Sequence, residues 1–341
     1  MAAGAQTTSN STAVWTDLTK LSPMVWVDGA RVAVEEIQPV MDLYDVDQLD
    51  QFNRDYGTIA DSGFGHVIDE GADYITRTNN QGDTLSLTCL KRGDAASITE
   101  DLIDGNKYRE IQSRLYNLGG SLFRQRCRDA THVAFTFGTS TSYTDADGNT
   151  ITNAVAKGSE AVFADTHTMA DASTFDNLLA DAAIGETTLR NLEDLTTDFK
   201  DENGHTVTWG LGGKVLLHST DAGMGIAGLR LTTQEWNYNS ASRDINPFSN
   251  AQMHGGAYTR VVLQFLASDA EGKRNSSKDK YYFILDRRYA KNLLVFGSYM
   301  QPFPMGPFRD IYNGGQLWQS KSYYDLGCVA AHFGAGCPAT T

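Results

Sequence analysis

The chain has 341 residues, with 42 acidic against 28 basic side chains and a formal net charge of −14. This acidic balance argues against a protein that grips nucleic acid directly, because such binding neutralises phosphates with Lys and Arg. No apolar run approaches the roughly 20 residues that span a bilayer, and the first residues lack the basic and apolar parts of a signal peptide. We therefore expect synthesis in a cytoplasm.

The N-terminal region shows no clear hydrophobic period. Residues 1–13 are small and polar, and we expect them to be mobile. Between residues 14 and 56 the apolar side chains follow no single period, with room for a short helix within residues 35–52. This region is interpreted as an arm that lies over other surfaces.

A long β-hairpin is predicted next. Two runs with partial alternation, residues 74–78 and 84–90, flank Asn-Asn-Gln-Gly-Asp at residues 79–83, and Asn and Gly tolerate the positive φ of a tight turn. A two-stranded hairpin is only marginally stable alone in water, so it needs a surface to lie on. Its own domain and a neighbouring subunit are the two alternatives.

One long helix is predicted from residue 107 to about residue 128. Its apolar side chains recur with 3-4-3-4 spacing, which places them in one stripe on one face: Tyr108, Ile111, Leu115, Leu118 and Leu122. Asp104 precedes the helix and lies near the positive end of its dipole.

The rest of the chain is predicted to mix helices, strands and loops. Helices are expected over residues 175–200, divided near Gly185, and over 228–238. Strands are expected over residues 214–218, 258–267 and 280–285, with a polar loop at 268–279. Residues 301–307, which contain three prolines, are interpreted as a rigid connector, and residues 316–333 as a closing strand or hairpin.

Several short motifs permit a site, but each has a plainer interpretation. Gly223-Met-Gly-Ile-Ala-Gly228 matches the dinucleotide pattern G-x-G-x-x-G, yet four residues separate it from the preceding strand, so nucleotide binding is a minor alternative. Asp145-Ala-Asp-Gly-Asn149 begins like a calcium loop, but position 156 is Ala where the loop needs Glu, so a hairpin turn is predicted. His167 is either a ligand or base or, more simply, a structural histidine in a turn.

The sequence does not call for a cofactor, a metal or enzymatic activity. The four cysteines, Cys89, Cys127, Cys328 and Cys337, form no C-x-x-C pair, so buried free thiols are expected, with a Cys328–Cys337 disulfide as the alternative under oxidising conditions.

The order of elements and three short motifs resemble the major capsid proteins of tailed bacteriophages, with the Hong Kong 97-type fold, and are most similar to Mu-like major head subunits. The first motif is the hairpin running into Ser97-Ile-Thr-Glu-Asp-Leu-Ile103 and the long helix. The second combines Phe163-x-x-x-His167, Asn177-Leu178 and Phe199-Lys-Asp-x-x-Gly204. The third runs from the strand at 214–218 to Arg243-Asp-Ile-Asn-Pro247.

The resemblance implies an α+β subunit divided into five regions. These are an N-terminal arm (1–56), an extended β-hairpin loop (57–95), a peripheral domain with a long spine helix (96–174), an axial domain (175–300), and a return to the peripheral domain (301–341). The extended loop would contact a neighbouring subunit through Ile75, Arg77, Leu85 and Leu87, while the stripe on the spine helix would form a core.

The function implied is structural. The chain would assemble through pentamers and hexamers into an icosahedral virion shell that encloses double-stranded DNA, with portal and, in some systems, scaffolding or decoration proteins as partners. The second alternative is an encapsulin-type compartment, which has the same fold but encloses a cargo enzyme in place of DNA. A soluble nucleotide-binding enzyme at Gly223 is the third alternative.

Overall fold

The computed structural model describes residues 6–59, 81–105, 107–156, 159–233, 258–309 and 315–339, with residues 68 and 73. Six helices are described: α1 Gln6–Met41, α2 Glu100–Asp104, α3 Tyr108–Thr131, α4 Glu186–Thr197, α5 Ala222–Thr233 and α6 Arg287–Leu293. The strands are β1 Asp45–Gln48, β2 Asn53–Ile59, β3 Gln81–Thr88, β4 Leu90–Ile98, β5 Ser142–Thr144, β6 Thr150–Thr152, β7 His167–Thr168, β8 Thr174–Phe175, β9 Lys214–His218, β10 Thr259–Val262, β11 Lys280–Asp286, β12 Leu294–Arg309, β13 Gln316–Cys328 and β14 Gly334–Ala339.

Two four-stranded sheets organise the chain. The first has the order β1-β12-β13-β4, with β1 parallel to β12 and the other pairs antiparallel. Helix α3 packs on one face of this sheet, where Ile111, Leu115 and Leu118 meet Ile98 and Trp318. The long helix predicted from the 3-4-3-4 spacing is therefore present, and a turn of π-helix extends it over His132–Thr136.

The second sheet has the order β10-β9-β11-β14. Strand β9 is buried along most of its length, as its uninterrupted apolar sequence predicts. Strand β14 adds the last described residues to this sheet by pairing with β11. Residues 334–339 therefore lie in the same sheet as residues 280–285.

The N-terminal prediction is wrong for residues 6–41, which form one helix. Trp26, Ala30, Ala33, Ile37 and Val40 are buried at 4-3-4-3 spacing, as expected for a helix with one packed face. The period was hidden because other apolar side chains of the helix face solvent: Met24, Val27, Val32 and Val34.

Helices α1 and α3 pack closely because glycines lie at their contact. A Cβ added to Gly29 would overlap the carbonyl oxygen of Tyr116, and a Cβ added to Gly119 would overlap that of Trp26. The two backbones can approach this closely only without side chains at these positions.

Strand β3, the second strand of the predicted hairpin, pairs with a strand that was not predicted. Strand β3 begins at Gln81, inside the segment expected to turn, and pairs antiparallel with β2. The prediction followed local turn chemistry, whereas the actual partner lies more than 20 residues earlier in the chain. Residues 74–78, the predicted partner, lie outside the described residues.

Three further boundaries differ from the predictions. The helix expected from residue 175 begins only at Glu186, after a short strand and an irregular segment. Residues 301–307 lie within β12, where register shifts against β13 accommodate the prolines. Strand β10 ends at Val262, earlier than expected.

Candidate functional site

The second capsid-like motif converges on one buried polar centre. Phe163, His167, Asn177 and Phe199 come from separate segments, and each is at most 1% exposed. A buried polar side chain must satisfy its hydrogen bonds inside the protein, so Asn177 and His167 define the geometry of this centre.

Asn177 joins the segment before β7 to the C-terminal segment. Its Nδ2 lies 2.9 Å from the carbonyl oxygen of Val162, 3.2 Å from that of Ala331 and 3.3 Å from that of Gly334. Its Oδ1 accepts a hydrogen bond from the backbone N–H of Ala164 at 2.9 Å. One amide therefore fixes the relative positions of two chain segments that are distant in sequence.

His167 completes this centre. Its Nε2 lies 3.0 Å from Asn177 Oδ1 and donates to it, because the Asn177 amide group already faces carbonyl oxygens. Its Nδ1 lies 3.3 Å from a carboxylate oxygen of Glu160, and its ring stacks on Phe175 at 5.0 Å. The imidazole is 1% exposed, so it serves to hold chain segments together.

The Phe199-to-Gly204 part of the motif forms a tight turn beside this centre. The carboxylate of Asp201 accepts from the backbone N–H groups of Asn203 and His205 at 3.0 and 2.8 Å. Gly204 has a φ of +77°, which a residue with a side chain rarely adopts. Glu202 then reaches outward, where it accepts hydrogen bonds from the hydroxyl of Thr58 and the backbone N–H of Ala170, both at 3.0 Å.

A second polar network connects α3 to the first sheet. Tyr324 on β13 donates to Asp129 at 2.7 Å, and the guanidinium groups of Arg128 and Arg92 lie 3.0 and 3.9 Å from the same carboxylate. Burial and the nearby Asp129 carboxylate raise the pKa of Tyr324 well above its usual value, so the hydroxyl stays protonated. Sequence reasoning missed Asp129 and Tyr324, because no local motif connects residues 195 positions apart.

The residues of the predicted spine stripe lie on one face of α3. Ile111, Leu115, Leu118 and Leu122 are at most 3% exposed, and Tyr108 is partly buried beside them.

The structure describes two of the four residues predicted to contact a neighbour through the extended loop. Leu87 is 2% exposed and belongs to the core of its own chain, where it meets Gly297 and Gly327. Leu85 is half-buried against the same core. Leu85 keeps some exposed surface, whereas Leu87 is almost fully covered by its own chain. Ile75 and Arg77 lie outside the described residues.

The glycine motif does not form a nucleotide site. Gly223, Gly225 and Gly228 all lie within α5. The carboxylate of Asp221 accepts from the backbone N–H groups of Gly223 and Met224 at 2.9 and 3.2 Å. This capping carboxylate occupies the donors that a phosphate would need.

Two plainer interpretations are confirmed. Asp145 lies in the turn between β5 and β6, where its carboxylate accepts from the backbone N–H groups of Asp147 and Asn149. All four cysteines are buried and free.

Within the described ranges, no group of three or more His, Cys, Asp or Glu side chains is arranged to bind a metal. None of the described helices combines the length and apolar character needed to cross a membrane.

Comparisons with known proteins identify the fold. No protein-family model matches the sequence, and no curated protein is similar to it. The chain is similar to a chain in the solved structure of Gordonia phage Cozz, with a TM-score of 0.51 and 10% identity over 89% of this chain and 86% of that one. It also matches the capsid of a native GTA particle (TM-score 0.48, 11% identity, 89% and 91% covered) and the mature capsid of bacteriophage PhiM1 (TM-score 0.47, 14% identity, 87% and 85% covered). The chain therefore shares the mixed α+β fold of the matched chain of phage Cozz.

Proposed function

We propose that this chain is the major capsid protein of a tailed bacteriophage, a structural protein that assembles into an icosahedral shell. The observation that carries the proposal is the capsid-type fold, which extends over nearly nine-tenths of the chain in the match to phage Cozz. Its location would be the virion, assembled in the cytoplasm of the host bacterium.

An uncovered apolar surface supports assembly. Phe303 and Phe308 on β12 are 57% and 44% exposed, and they pair with Lys321 and Leu317 on β13. On β13 these two residues alternate with Trp318 and other buried side chains that face α3, so both phenylalanines lie on the opposite face of the sheet. We call this surface, together with the half-exposed Phe52, the outer sheet face. Exposed aromatic side chains grouped in this way are typical of protein–protein interfaces.

The net charge supports DNA as the contents of the proposed shell. A subunit with a net charge of −14 does not adsorb DNA tightly, so an acidic wall would allow double-stranded DNA to be packed and released. Portal and scaffolding proteins would be partners of such a shell. The extended loop over residues 57–95 would contact a neighbouring subunit, with Ile75, Arg77, Leu85 and Leu87 as the predicted residues.

The test is to express the chain and examine purified material by negative-stain electron microscopy, nuclease treatment and mass spectrometry. Shells or rings of five and six subunits are expected, and particles from infected cells should protect DNA. Particles that instead contain a stoichiometric cargo enzyme and no DNA would favour the encapsulin-type alternative. Failure to assemble when scaffold is supplied would contradict the proposal.

A further inference from the structure

Arg126 is a buried cation with no acidic partner in the described part of the chain. Its side chain lies in the interior of the chain at 4% exposure, on α3. Its Nη1 donates to Gln301 Oε1 at 2.5 Å, and its Nη2 lies 3.2 Å from the Ser298 hydroxyl and 3.0 Å from the carbonyl oxygen of Met300. All three partners are neutral. Among the described residues, the nearby Asp129 carboxylate forms its ion pairs with Arg92 and Arg128 instead.

One donor of this guanidinium also lacks a partner. The Nε of Arg126 is buried and forms no hydrogen bond within the described part of the chain. The rings of Tyr324 and Phe296 lie 5.1 and 5.5 Å from the guanidinium carbon, and their faces attract the charge. Neither ring replaces a hydrogen-bond acceptor, and an unsatisfied buried donor is costly. Burial lowers the pKa of Arg126 to about 10, so the group remains a cation at neutral pH.

Arg126 is one of the residues that line a cleft of about 580 Å³ between α1, α3, α6, β1 and β12. The walls are largely apolar, with these side chains: Val34, Ile37, Met41, Phe123 and Phe296. Gln301 and Lys291 line the same cleft. The volume greatly exceeds that of one water molecule and is large enough for a small polyatomic ion.

The remaining charges of the cleft leave it suited to an anion. Lys291 is exposed at the rim, with no ion pair among the described residues. Asp42 is held by Gln38 at 2.6 Å and by Arg287 at 3.5 Å, so its charge is partly neutralised. Asp45 is exposed at the start of β1, where water screens it.

We propose that this cleft binds an oxyanion group, either phosphate or carboxylate, which accepts a hydrogen bond from Arg126 and pairs with Lys291. The group comes from one of two sources, a free phosphate ion or an acidic side chain of a second copy of this chain. In both cases the anion supplies a counter-charge that Arg126 does not find among the described residues. Charge-assisted hydrogen bonds of this kind are among the stronger ones in proteins.

The test measures the thermal midpoint of the unassembled full-length chain in increasing inorganic phosphate, against sodium chloride at equal ionic strength. A ligand that binds only the folded state raises the midpoint as its concentration rises. We expect phosphate to raise the thermal midpoint, and we expect sodium chloride at equal ionic strength to leave it unchanged. Lys291→Met should weaken apparent phosphate affinity several-fold, and Arg126→Gln should abolish the shift. Lys280→Met removes an exposed lysine elsewhere and should behave as the wild type.

Repeating the measurement on assembled particles distinguishes the two sources. A phosphate shift that persists in particles identifies free phosphate, whereas a shift confined to the unassembled chain identifies an acidic side chain of a second copy. The inference is overturned if the unassembled wild type responds equally to phosphate and chloride, or if Lys291→Met and Lys280→Met respond alike. Because the test begins with the unassembled chain, its failure would leave the proposed shell function untouched.

Discussion

At the scale of single residues, we expect a buried imidazole to make the folding stability depend on pH. His132 is 0% exposed, and its Nε2 lies 2.7 Å from the hydroxyl oxygen of Ser268. The Ser268 hydroxyl itself donates to the carbonyl of Phe265, so His132 Nε2 carries the hydrogen and donates. The Nδ1 atom has no partner among the described residues. The structure thus holds a neutral imidazole.

The first prediction concerns pH. Burial, with the nearby cations of Arg128 and Lys278, lowers the pKa of His132 to about 3 from an ordinary value of 6.5. The unfolded chain therefore binds more protons in this range, so His132 makes stability fall as pH drops below about 6.5, until the loss levels off near pH 3. His132→Gln should flatten this dependence, measured as the urea midpoint between pH 7.5 and 4.5.

The matched control for this prediction is His205→Gln, because the His205 side chain is 39% exposed. In that variant the urea midpoint should change with pH as it does in the wild type. Equal slopes for His132→Gln and the wild type would show that the buried imidazole does not govern the acid response.

Asn177 gives a second prediction at this scale. Asn177→Asp preserves the shape of the side chain but turns a donor that faces three carbonyl oxygens into an acceptor. Because a buried charge would then face other acceptors, we expect a loss of about 3 kcal/mol or more in the free energy of unfolding. Asn292→Asp makes the same change at an exposed site and should stay within about 0.5 kcal/mol of the wild type in urea titrations. Similar losses of stability at both positions would contradict the central structural role of the Asn177 amide.

Some of this centre could be predicted from sequence. His167 and Asn177 both belong to the second sequence motif. A structural role for the histidine was already the simpler interpretation. The carbonyl groups of Ala331 and Gly334 could not be predicted as partners, because these contacts depend on how the C-terminal segment returns to the fold.

At the scale of elements, the packing of α1 on α3 depends on two glycines. Gly29→Ala places a methyl group against the carbonyl oxygen of Tyr116, so one helix must move away. We expect a loss of about 1–3 kcal/mol, typical of overpacking, in the free energy of unfolding measured by urea titration.

Gly225→Ala is the control for this change, because nothing in the described structure lies within 4 Å of a Cβ there and the residue is helical. Alanine is the better helix former, so this variant should match or exceed the wild type in stability by up to about 1 kcal/mol. If Gly29→Ala were equally harmless, the close crossing of α1 and α3 would be wrong.

The two long helices also show what periodicity can predict. Helix α3 was predictable because its polar face is strongly charged and its apolar residues form one clean stripe. Helix α1 was not, because Met24, Val27, Val32 and Val34 are apolar yet face solvent, and Pro23 and Pro39 lie inside it. The strand partner of β3 was missed for a different reason, since pairing with β2 is decided by tertiary contacts and not by the nearest turn sequence.

At the scale of the whole molecule, the outer sheet face exposes aromatic side chains in a single subunit. Assembly would cover them. Phe303→Ser with Phe308→Ser removes two exposed aromatic side chains without opening the core. We expect this double variant to keep the monomer's stability and to lose assembly, because contacts at such positions act only between subunits. Circular dichroism and sedimentation velocity measure the two properties.

A single exposed apolar residue elsewhere provides the control for that variant. Leu211 is 74% exposed and lies apart from the sheet, so Leu211→Ser should assemble as the wild type does. Normal particles from the double phenylalanine variant would exclude the outer sheet face as an assembly surface.

The most direct test of the central claim is the sedimentation velocity of the purified full-length chain, with scaffold supplied and with the Phe303→Ser, Phe308→Ser variant beside it. The account predicts that the wild type sediments as rings or closed shells, while the variant remains a slow, folded subunit. A wild-type chain that stays monomeric under these conditions would contradict the assignment of this protein to a viral shell.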